Sequence, residues 1–434
     1  MPSLDTLSRR EALAAAGLLC VGGSGGFLLR DEFDDRFGDD SNLPADVAPT
    51  DWPHPARDAA HTRHAPPESA PDARETGDGL DRAWSFERSP HGPERTRPVV
   101  ANGTVFVAES RDAGPSALRA VDRTGGDERW AVRMDDASGA VVAVGDRVLH
   151  LHDAVEGTVL DARAAADGSL LWRRDEPGDS GLVGLPVVAG SRAYVGGSQG
   201  RTAVLGAHGL GGGRAAWRRS TDGSFLGPPA VDRRASTVVL QTLRGLAAFD
   251  TTDGERRWRD TFEQTPDDRA NPNPYGWPLL ADGRAFVATY EGLLRAYDFA
   301  SGEVDWERRL DASGRYAHVF EPGAYADGVL FTVERFYDAR PDVLHAVDAE
   351  SGADRWTVAA ADAGEGSLSN PTVCDGRVYL TLTVDGDDHE LLRLDAGDGS
   401  VVDRTALSSF PYRAPIVAGG RVLVSTGDGF DVFR

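Results

Sequence analysis

The chain contains no lysine, so arginine supplies all 46 of its basic residues, against 69 acidic residues. The net charge of −23 argues against nucleic-acid binding, because phosphate groups would be repelled. Such a surface is expected to stay hydrated and soluble in high salt, where self-repulsion is screened. Cysteine is almost absent too: Cys20 lies near the N-terminus and Cys374 at the start of an apolar strand, which predicts no disulfide in the mature fold. Without a Cys-x-x-Cys pair or a His/Cys cluster, no zinc site is predicted.

Tryptophan, by contrast, recurs regularly along the chain. Seven tryptophans follow one another at intervals of 41 to 50 residues: Trp84, Trp130, Trp172, Trp217, Trp258, Trp306 and Trp356. In four copies the Trp lies eight positions after an Asp, with a Gly between them, as in Asp122–Trp130. A period in the forties, built from short apolar runs and Gly turns, is typical of a β-propeller with one blade per repeat.

Each unit contains Gly turns between alternating apolar runs, as at Asp282-Gly283, which predicts four antiparallel strands per unit. Three units depart from the pattern. Asp161 is followed by a turn that reads as three residues longer, Gly206 stands in place of the Asp before Trp217, and Arg404 stands where a Trp is expected. Seven units are nevertheless complete.

The eighth unit is split between the two ends of the chain. The C-terminal strands, the last of them at 430–433, lack a fourth strand, which the run Ala83–Phe86 can supply. Joining both ends in one blade closes the ring and leaves no open sheet edge. The sequence therefore predicts an all-β fold over residues 84–434, an eight-bladed β-propeller of four-stranded antiparallel blades.

The repeated phrase, Ala-x-Asp-x-x-[Ser/Thr]-Gly-x-x-x-Trp, resembles that of the PQQ-like repeat family, which includes quinoprotein dehydrogenases and the outer-membrane assembly protein BamB. The clearest copies are Ala120–Trp130, Ala296–Trp306 and Ala346–Trp356. The resemblance implies that each repeated Trp docks on the phrase of the next blade. Residues 51–62 also resemble the segment that often precedes such propellers, so we assign 51–83 as a lead-in. The motif is specific for the fold and not for an activity.

The first fifty residues are predicted to direct export. Arg9 and Arg10 precede a Gly-rich apolar run, which resembles a twin-arginine signal over residues 1–30; an ordinary amphipathic helix is the alternative. Cys20 is a candidate for lipidation, although the residues before it do not form a lipobox. Residues 31–50 are acidic and are expected to form a flexible linker. The acid-rich, lysine-free composition resembles that of halophilic archaea.

No catalytic residue and no cofactor is predicted. Quinoprotein dehydrogenases bind PQQ and calcium in the central funnel, typically beside an adjacent Cys–Cys disulfide, and this chain has no adjacent Cys pair. The Asp repeated once per blade is expected to cap its turn through Asx-type hydrogen bonds. His150 and His152 share one strand face, which permits a metal geometrically, but without a third ligand a polar strand face is favoured.

Two aromatic segments outside the repeat register are candidates for a binding surface: Tyr275 and Trp277 in one, and Tyr316, His318 and Phe320 in the other. Padding of longer loops explains them equally well. We therefore expect an exported, surface-tethered and monomeric scaffold without catalytic activity, which binds an envelope protein or an extracellular ligand and meets the membrane only through its N-terminal signal. The alternatives are a PQQ- or metal-dependent oxidoreductase and a sensor of an extracellular ligand.

Overall fold

A computed structural model describes most of the chain beyond residue 47. The described ranges are 48–71, 79–87, 97–109, 116–134, 141–154, 157–176, 185–262, 273–290, 292–309, 318–336, 340–363, 366–384, 388–427 and 429–434. The leader, Cys20, most of the acidic linker and Tyr316 lie outside these residues. Among the described residues, no helix is long and apolar enough to cross a membrane.

The described chain forms eight antiparallel sheets of four strands each, one per blade, and one of them carries two short additional strands. Before the first complete blade come β1 (His64–Ala65) and β2 (Arg82–Glu87). Blades 1 to 4 contain β3 (Val99–Ala101), β4 (Thr104–Glu109), β5 (Ser116–Asp122), β6 (Glu128–Met134), β7 (Val141–Val144), β8 (Arg147–Ala154), β9 (Gly157–Ala164), β10 (Leu170–Glu176), β11 (Val187–Ala189), β12 (Arg192–Gln199), β13 (Thr202–Gly209), β14 (Ala215–Asp222), β15 (Ala230–Asp232), β16 (Thr237–Thr242), β17 (Gly245–Asp250) and β18 (Arg256–Thr261).

Blades 5 to 8 complete the ring. They contain β19 (Pro274–Ala281), β20 (Arg284–Thr289), β21 (Leu293–Asp298), β22 (Val304–Arg309), β23 (His318–Ala326), β24 (Val329–Phe336), β25 (Val343–Asp348), β26 (Asp354–Ala359), β27 (Ser367–Leu368), β28 (Thr372–Cys374), β29 (Arg377–Thr383), β30 (Glu390–Asp395), β31 (Val401–Ala406), β32 (Ile416–Ala418), β33 (Arg421–Thr426) and β34 (Gly429–Phe433). A single helical turn, α1 (Ala360–Ala363), follows blade 6. The eight-bladed propeller predicted from the sequence is confirmed.

The hairpin turns follow from local chain chemistry. At the β19–β20 turn, Asp282 and Gly283 both have positive φ, 45° and 76°, as a two-residue type I′ turn requires. The innermost strands are buried on both faces, whereas the outermost strands alternate between partly buried and exposed residues, as in β22. Each blade therefore hides one face of every inner strand against each neighbouring blade.

The ring closes where the sequence predicted. β2 pairs antiparallel with β34, with Trp84 opposite Val432, so the N-terminal strand is the outer strand of blade 8. Asp81 and Arg434 exchange two backbone hydrogen bonds, of 2.9 and 3.2 Å, beside this pair. The blade therefore has no covalent turn between its third and fourth strands, since β34 and β2 come from opposite parts of the chain.

Seven tryptophans bridge neighbouring blades at the outer edge of the ring. Each indole Nε1 donates a hydrogen bond of 2.8–3.0 Å to a backbone carbonyl in the turn of the next blade. The acceptors of Trp84, Trp130, Trp172, Trp217, Trp258, Trp306 and Trp356 are Arg123, Ala165, Leu210, Thr251, Phe299, Ala349 and Ala396. The ring of each Trp also covers a glycine of that turn.

This glycine is required for two reasons, as Gly302 shows. Its φ is +74°, and a Cβ built on it would lie 2.5 Å from Trp258. A side chain there would be strained by the backbone and would also displace the indole. The repeated Gly of the sequence phrase is therefore the seat of the preceding blade's Trp.

Two of the irregular units were misaligned at the sequence level. In blade 2 the turn begins at Ala164, whose N–H bonds Ser169 O, so the usual eight-position spacing to Trp172 is kept and no residues are inserted. Asp161 lies within β9, fully buried, and does not cap the turn. In blade 3 it is Gly209, rather than Gly206, that replaces the Asp. The sequence alignment was wrong because Asp161 and Gly206 each lie three positions before the residue that begins the turn.

Blade 7 was misaligned by one residue. Asp403, rather than Arg404, occupies the Trp position, because it pairs with Arg393 where the other blades pair Ala with Trp. The Arg393 Nε lies 2.9 Å from Asp403 Oδ1, and both side chains are largely buried. Blade 8 offers no continuous turn to receive an indole, so an ion pair within blade 7 takes its place.

Candidate functional site

The lead-in segment lies inside the ring, against the innermost strands. It makes at least one hydrogen bond to every blade: Val100 N to Trp52 O, Ala143 N to Pro53 O, Val188 N to His54 Nε2, Val231 N to Ala59 O, Leu280 N to Ala60 O, Tyr325 N to Thr62 O, Val373 N to Arg63 O, and Gly420 N to Ser69 O. These bonds satisfy the donors that innermost strands would otherwise present to the central channel. The segment therefore fills the axis of the ring, and we call it the axial segment (residues 52–69).

The conformation of the axial segment is set by its own side chains. Asp58 Oδ1 accepts hydrogen bonds from the N–H groups of Ala60 and Thr62, at 3.1 and 3.0 Å. Arg57 and His61 adopt positive φ, 72° and 65°, which lets the chain turn tightly enough to meet successive blades. Burial lowers the pKa of His61 to about 3, so this imidazole is neutral at pH 7.

A cavity of about 1210 Å³ opens above the axial segment. It lies on the face where the last strand of one blade connects to the first strand of the next, and we call it the funnel. Pro55 and Arg63 of the axial segment line it, together with side chains from blades 1, 5, 6, 7 and 8. A rigid ring of blades thus holds a wide concave surface at its axis.

The lining combines aromatic rings with arginines. Tyr275, Trp277, Phe336, Phe410 and Tyr412 supply the rings, and Arg63, Arg97, Arg335, Arg340 and Arg413 supply the positive charge. Glu321 is the single carboxylate among the described lining residues. The funnel is therefore cationic although the whole chain carries a net charge of −23.

Two of these arginines contact Trp277. The Cζ atom of Arg97 is 4.6 Å from the ring centroid of Trp277, and that of Arg63 is 5.7 Å from it. His61 packs against the same indole, with ring centroids 5.3 Å apart. The electron-rich ring face attracts both guanidinium groups and holds them near each other. Arg63 is further fixed by a 2.7 Å hydrogen bond from Nη1 to Gly323 O.

The pKa values of these arginines are lowered by burial and by one another's charge. Burial, followed by the charges of Arg413 and Arg63, lowers the pKa of Arg97 to about 9. Burial also lowers the pKa of Arg63 to about 10; Arg413 adds to the shift and Glu321 opposes it. All of these groups stay charged at neutral pH, and a negative charge brought among them is electrostatically favoured.

Glu321 is held by a separate network on the blade 6 and blade 7 side of the funnel. Its Oε2 lies 3.0 Å from Arg335 Nε, and its Oε1 accepts a 2.7 Å hydrogen bond from Asn370 Nδ2. Arg335 also donates to Leu368 O at 2.7 Å and lies 3.3 Å from Asp342. The pKa of Glu321 is lowered even though burial opposes the shift, because Arg335 and Asn370 favour its charged form. Both carboxylate oxygens are thus occupied by donors.

Calcium with PQQ does not fit these residues. Glu321 is the only carboxylate among the described lining residues. Its negative charge is already paired with the guanidinium of Arg335, which occupies the place that a metal cation would take. Within the described ranges, no three His, Cys, Asp or Glu side chains are grouped so as to hold a metal ion. Five arginines would repel a metal cation placed here, so the lining does not suit a metal-bound quinone.

The sequence predicted some of these residues and missed others. Tyr275 and Trp277 line the funnel, and both lie in strand β19, at a register irregularity, instead of in a loop. The side chains of His318 and Phe320 lie outside the described residues, as does Tyr316. The arginines Arg63, Arg97 and Arg413 were missed, since nothing in a chain with 46 basic residues distinguishes them. Trp277 carried the usable signal, because it breaks the repeat.

The remaining candidates lie elsewhere in the fold. His150 and His152 are buried and stacked, 4.7 Å apart, and His152 Nε2 lies 3.3 Å from Asp161. The repeated Asp side chains form Asx-type turns, as Asp122 does with the N–H groups of Thr124 and Gly125, at 2.8 and 2.9 Å. Corresponding contacts are made by Asp250, Asp298, Asp348 and Asp395. None of these residues lines the funnel.

Comparison with known proteins agrees with the fold. A family model described as "Outer membrane protein assembly factor BamB" matches residues 73–209, 201–326, 312–402 and 342–434. The outer membrane protein assembly factor BamB of Moranella endobia is 24% identical over 353 residues, which are 77% of this chain and 83% of that protein.

Solved structures show the same architecture at low identity. The quinohemoprotein alcohol dehydrogenase of Comamonas testosteroni has a TM-score of 0.67 and 17% identity, over 97% of this chain and 80% of its own. The BamB of Moraxella catarrhalis has a TM-score of 0.58 and 17% identity, over 82% of this chain and 97% of its own. An enzyme and an assembly factor thus share one fold, which leaves function to be argued from the site.

Proposed function

The chain belongs to the BamB family of β-propellers, and from this premise we propose that it is an exported, non-catalytic scaffold that binds a protein or a ligand on its funnel face. The funnel is the observation that carries the proposal. It is a concave surface of about 1210 Å³, held by a closed ring and rich in Trp, Tyr and Arg. These three residue types dominate the binding energy of protein interfaces.

The absence of catalysis is part of the proposal and is supported by the state of the ionisable groups. A catalytic acid or base must exchange its proton with a substrate. Glu321 is instead engaged by Arg335 and Asn370 through both oxygens. The flanking arginines bind and orient anions, and they do not transfer protons at neutral pH because their pKa values stay at about 9 or above.

Export is supported by the leader and by the relatives named for outer-membrane protein assembly. The assembly of outer-membrane proteins is not part of our proposal, because the lysine-free, acidic composition resembles that of archaea that lack an outer membrane. We retain the general role, in which a rigid propeller holds another molecule outside the cytoplasm.

Site-specific photo-crosslinking in the producing cells tests the scaffold. A photoreactive phenylalanine replaces Phe410, which lies on the funnel rim and is 44% exposed. The control replaces Leu171, which is 47% exposed on the outer strand of blade 2. We expect the same identified polypeptide or ligand to be crosslinked from position 410 and from Arg340, and not from position 171. Equal labelling from all three positions would contradict the proposal.

The oxidoreductase alternative has one observation in its favour, since arginines around Trp277 are suited to a flat, carboxylated ring. A titration of the purified chain with PQQ and calcium decides between the oxidoreductase and the scaffold. The titration is monitored by cofactor absorbance and by the melting temperature of the protein. We expect no calcium-dependent, saturable change. A saturable shift that requires calcium would restore the dehydrogenase interpretation.

A further inference from the structure

The charge of the funnel runs against the charge of the chain. Five arginines line it, whereas the only carboxylate among the described lining residues is already paired with Arg335. Acidic residues outnumber basic ones by 69 to 46 over the whole sequence. A concave cationic surface on an acidic protein raises the local concentration of anions and repels cations. The funnel is thus selective for negative charge.

The deepest part of the funnel has unsatisfied binding capacity. Arg63 is only 8% exposed, lines the cavity, and its Nε has no hydrogen-bond partner within the part of the chain that the structure describes. An unsatisfied buried donor costs about 1–3 kcal/mol, a cost that an anionic acceptor would remove. Arg97 contacts the same indole, so its guanidinium lies near that of Arg63.

We infer that the funnel receives an acidic segment of a partner polypeptide, with one carboxylate of that segment bound between Arg63 and Arg97 over Trp277. The inference rests on the proposed scaffold function and specifies its partner. A carboxylate suits this place because a guanidinium offers it two parallel donors, and because an anion separates two cations that otherwise repel each other.

The size and lining of the funnel favour a polypeptide over a small anion. Pockets for small molecules have volumes of about 300–1,000 Å³, and the funnel has about 1210 Å³. Beyond the paired arginines, its wall continues with aromatic side chains as far as Phe410, which stacks near Tyr412 with ring centroids 4.9 Å apart. A compact anion would contact only the arginines and would not reach these aromatic rings. A peptide with acidic side chains on an extended backbone would cover both.

Fluorescence anisotropy with a defined probe tests the inference. The probe is fluorescein-labelled hexaglutamate, the matched uncharged probe is hexaglutamine, and unlabelled citrate represents small anions. We expect saturable binding of hexaglutamate, no binding of hexaglutamine, and weakening as salt is added, since the attraction is electrostatic. Arg97→Gln should raise the Kd for hexaglutamate at least tenfold.

Arg218→Gln is the matched control. It removes the same charge from an exposed position in β14, outside the funnel. Its Kd should stay within about twofold of the parent value, because exposed charges this remote are screened. The melting temperature of each variant shows whether it is folded. If Arg97→Gln were unfolded, Trp277→Phe, which keeps a ring but weakens cation–π attraction, should still raise the Kd severalfold.

Two results of the binding assay would overturn the inference. The first is equal binding of hexaglutamate by the Arg97→Gln and Arg218→Gln variants. The second is citrate that binds as tightly as hexaglutamate, which would identify a small-anion site. If instead Phe410 crosslinks a partner equally well in the Arg97→Gln variant, the scaffold function stands and the acidic segment is wrong. If no crosslink forms but hexaglutamate binds through Arg97, the scaffold function fails and the anion site remains.

Discussion

Seven of the eight blade interfaces are joined by a tryptophan, and the one between blades 7 and 8 is not. At the seven, an indole lies on a glycine and donates to a carbonyl of the next blade's turn. At the eighth, Asp403 replaces the Trp and pairs with Arg393 inside its own blade. The segment before β2 makes one of the hydrogen bonds across this interface: Leu80 N donates to Thr405 Oγ1 at 3.0 Å.

The difference shows that the tryptophan belongs to a pair of elements and not to a blade. A Trp stabilises an interface only where the next blade supplies a continuous turn with a glycine at positive φ. Blade 8 cannot supply one, because Asp81 and Arg434 pair there without a connecting turn. The missing Trp of blade 7 and the split of blade 8 are thus one structural fact.

Deletion of residues 82–87 should have the largest effect. It removes the outer strand of blade 8, including Trp84, and leaves the edge of β34 unpaired. We expect a loss comparable with the whole stability of an ordinary domain, about 5–15 kcal/mol, measured by circular-dichroism melting. A synthetic peptide spanning 79–87 should restore part of the transition. An unchanged melting curve would show that closure contributes nothing.

Trp306→Ala should destabilise the interface between blades 5 and 6. It empties the space above Gly352 and removes the hydrogen bond to Ala349 O. We expect a loss of about 3–5 kcal/mol in the free energy of unfolding, measured by denaturant titration. Trp306→Phe keeps a smaller aromatic ring at this position and removes the donor, so it should cost less than the alanine substitution. A loss below about 1 kcal/mol for the alanine variant would mean that the indole is not a bridge.

Asp403→Trp brings the consensus residue to the eighth interface and should destabilise the protein. It leaves Arg393 largely buried and without its carboxylate, which costs about 3 kcal/mol. The double variant Arg393→Ala, Asp403→Trp recreates the Ala–Trp pair of the other blades, and we expect it to recover part of that loss. A single variant that melts above the parent protein would show that the interface can seat an indole after all.

Gly302→Ala tests the contact between a turn glycine and the indole above it, and Gly283→Ala is its matched control. The two glycines have similar φ, 74° and 76°, but only Gly302 lies beneath a tryptophan. Both substitutions incur the left-handed backbone cost of about 1–2 kcal/mol. Crowding against Trp258 should add about 1–3 kcal/mol at Gly302 alone. Equal losses in denaturant titrations would mean that the indole moves aside freely.

The funnel was only partly predictable from the sequence. Trp277 was identifiable because it interrupts a regular repeat, and Tyr275 because it precedes that Trp within an irregular strand. In the sequence, Arg63 precedes strand β2 and Arg97 follows it, and neither residue belongs to a motif. They come together only because the axial segment places Arg63 against Trp277 of blade 5, which Arg97 also contacts.

The sequence by itself determined the number of blades, the strand pattern within each blade and the closure of the ring, since these follow from local periodicity and turn chemistry repeated many times. Only the tertiary structure decided what happens at the axis. The axial segment occurs once in the sequence, contacts every blade and has no period to reveal it. The cationic funnel above it is equally non-repeating, because it collects single residues from blades that are far apart in the chain. Periodicity therefore reports what neighbouring blades share, and the site is made of what they do not share.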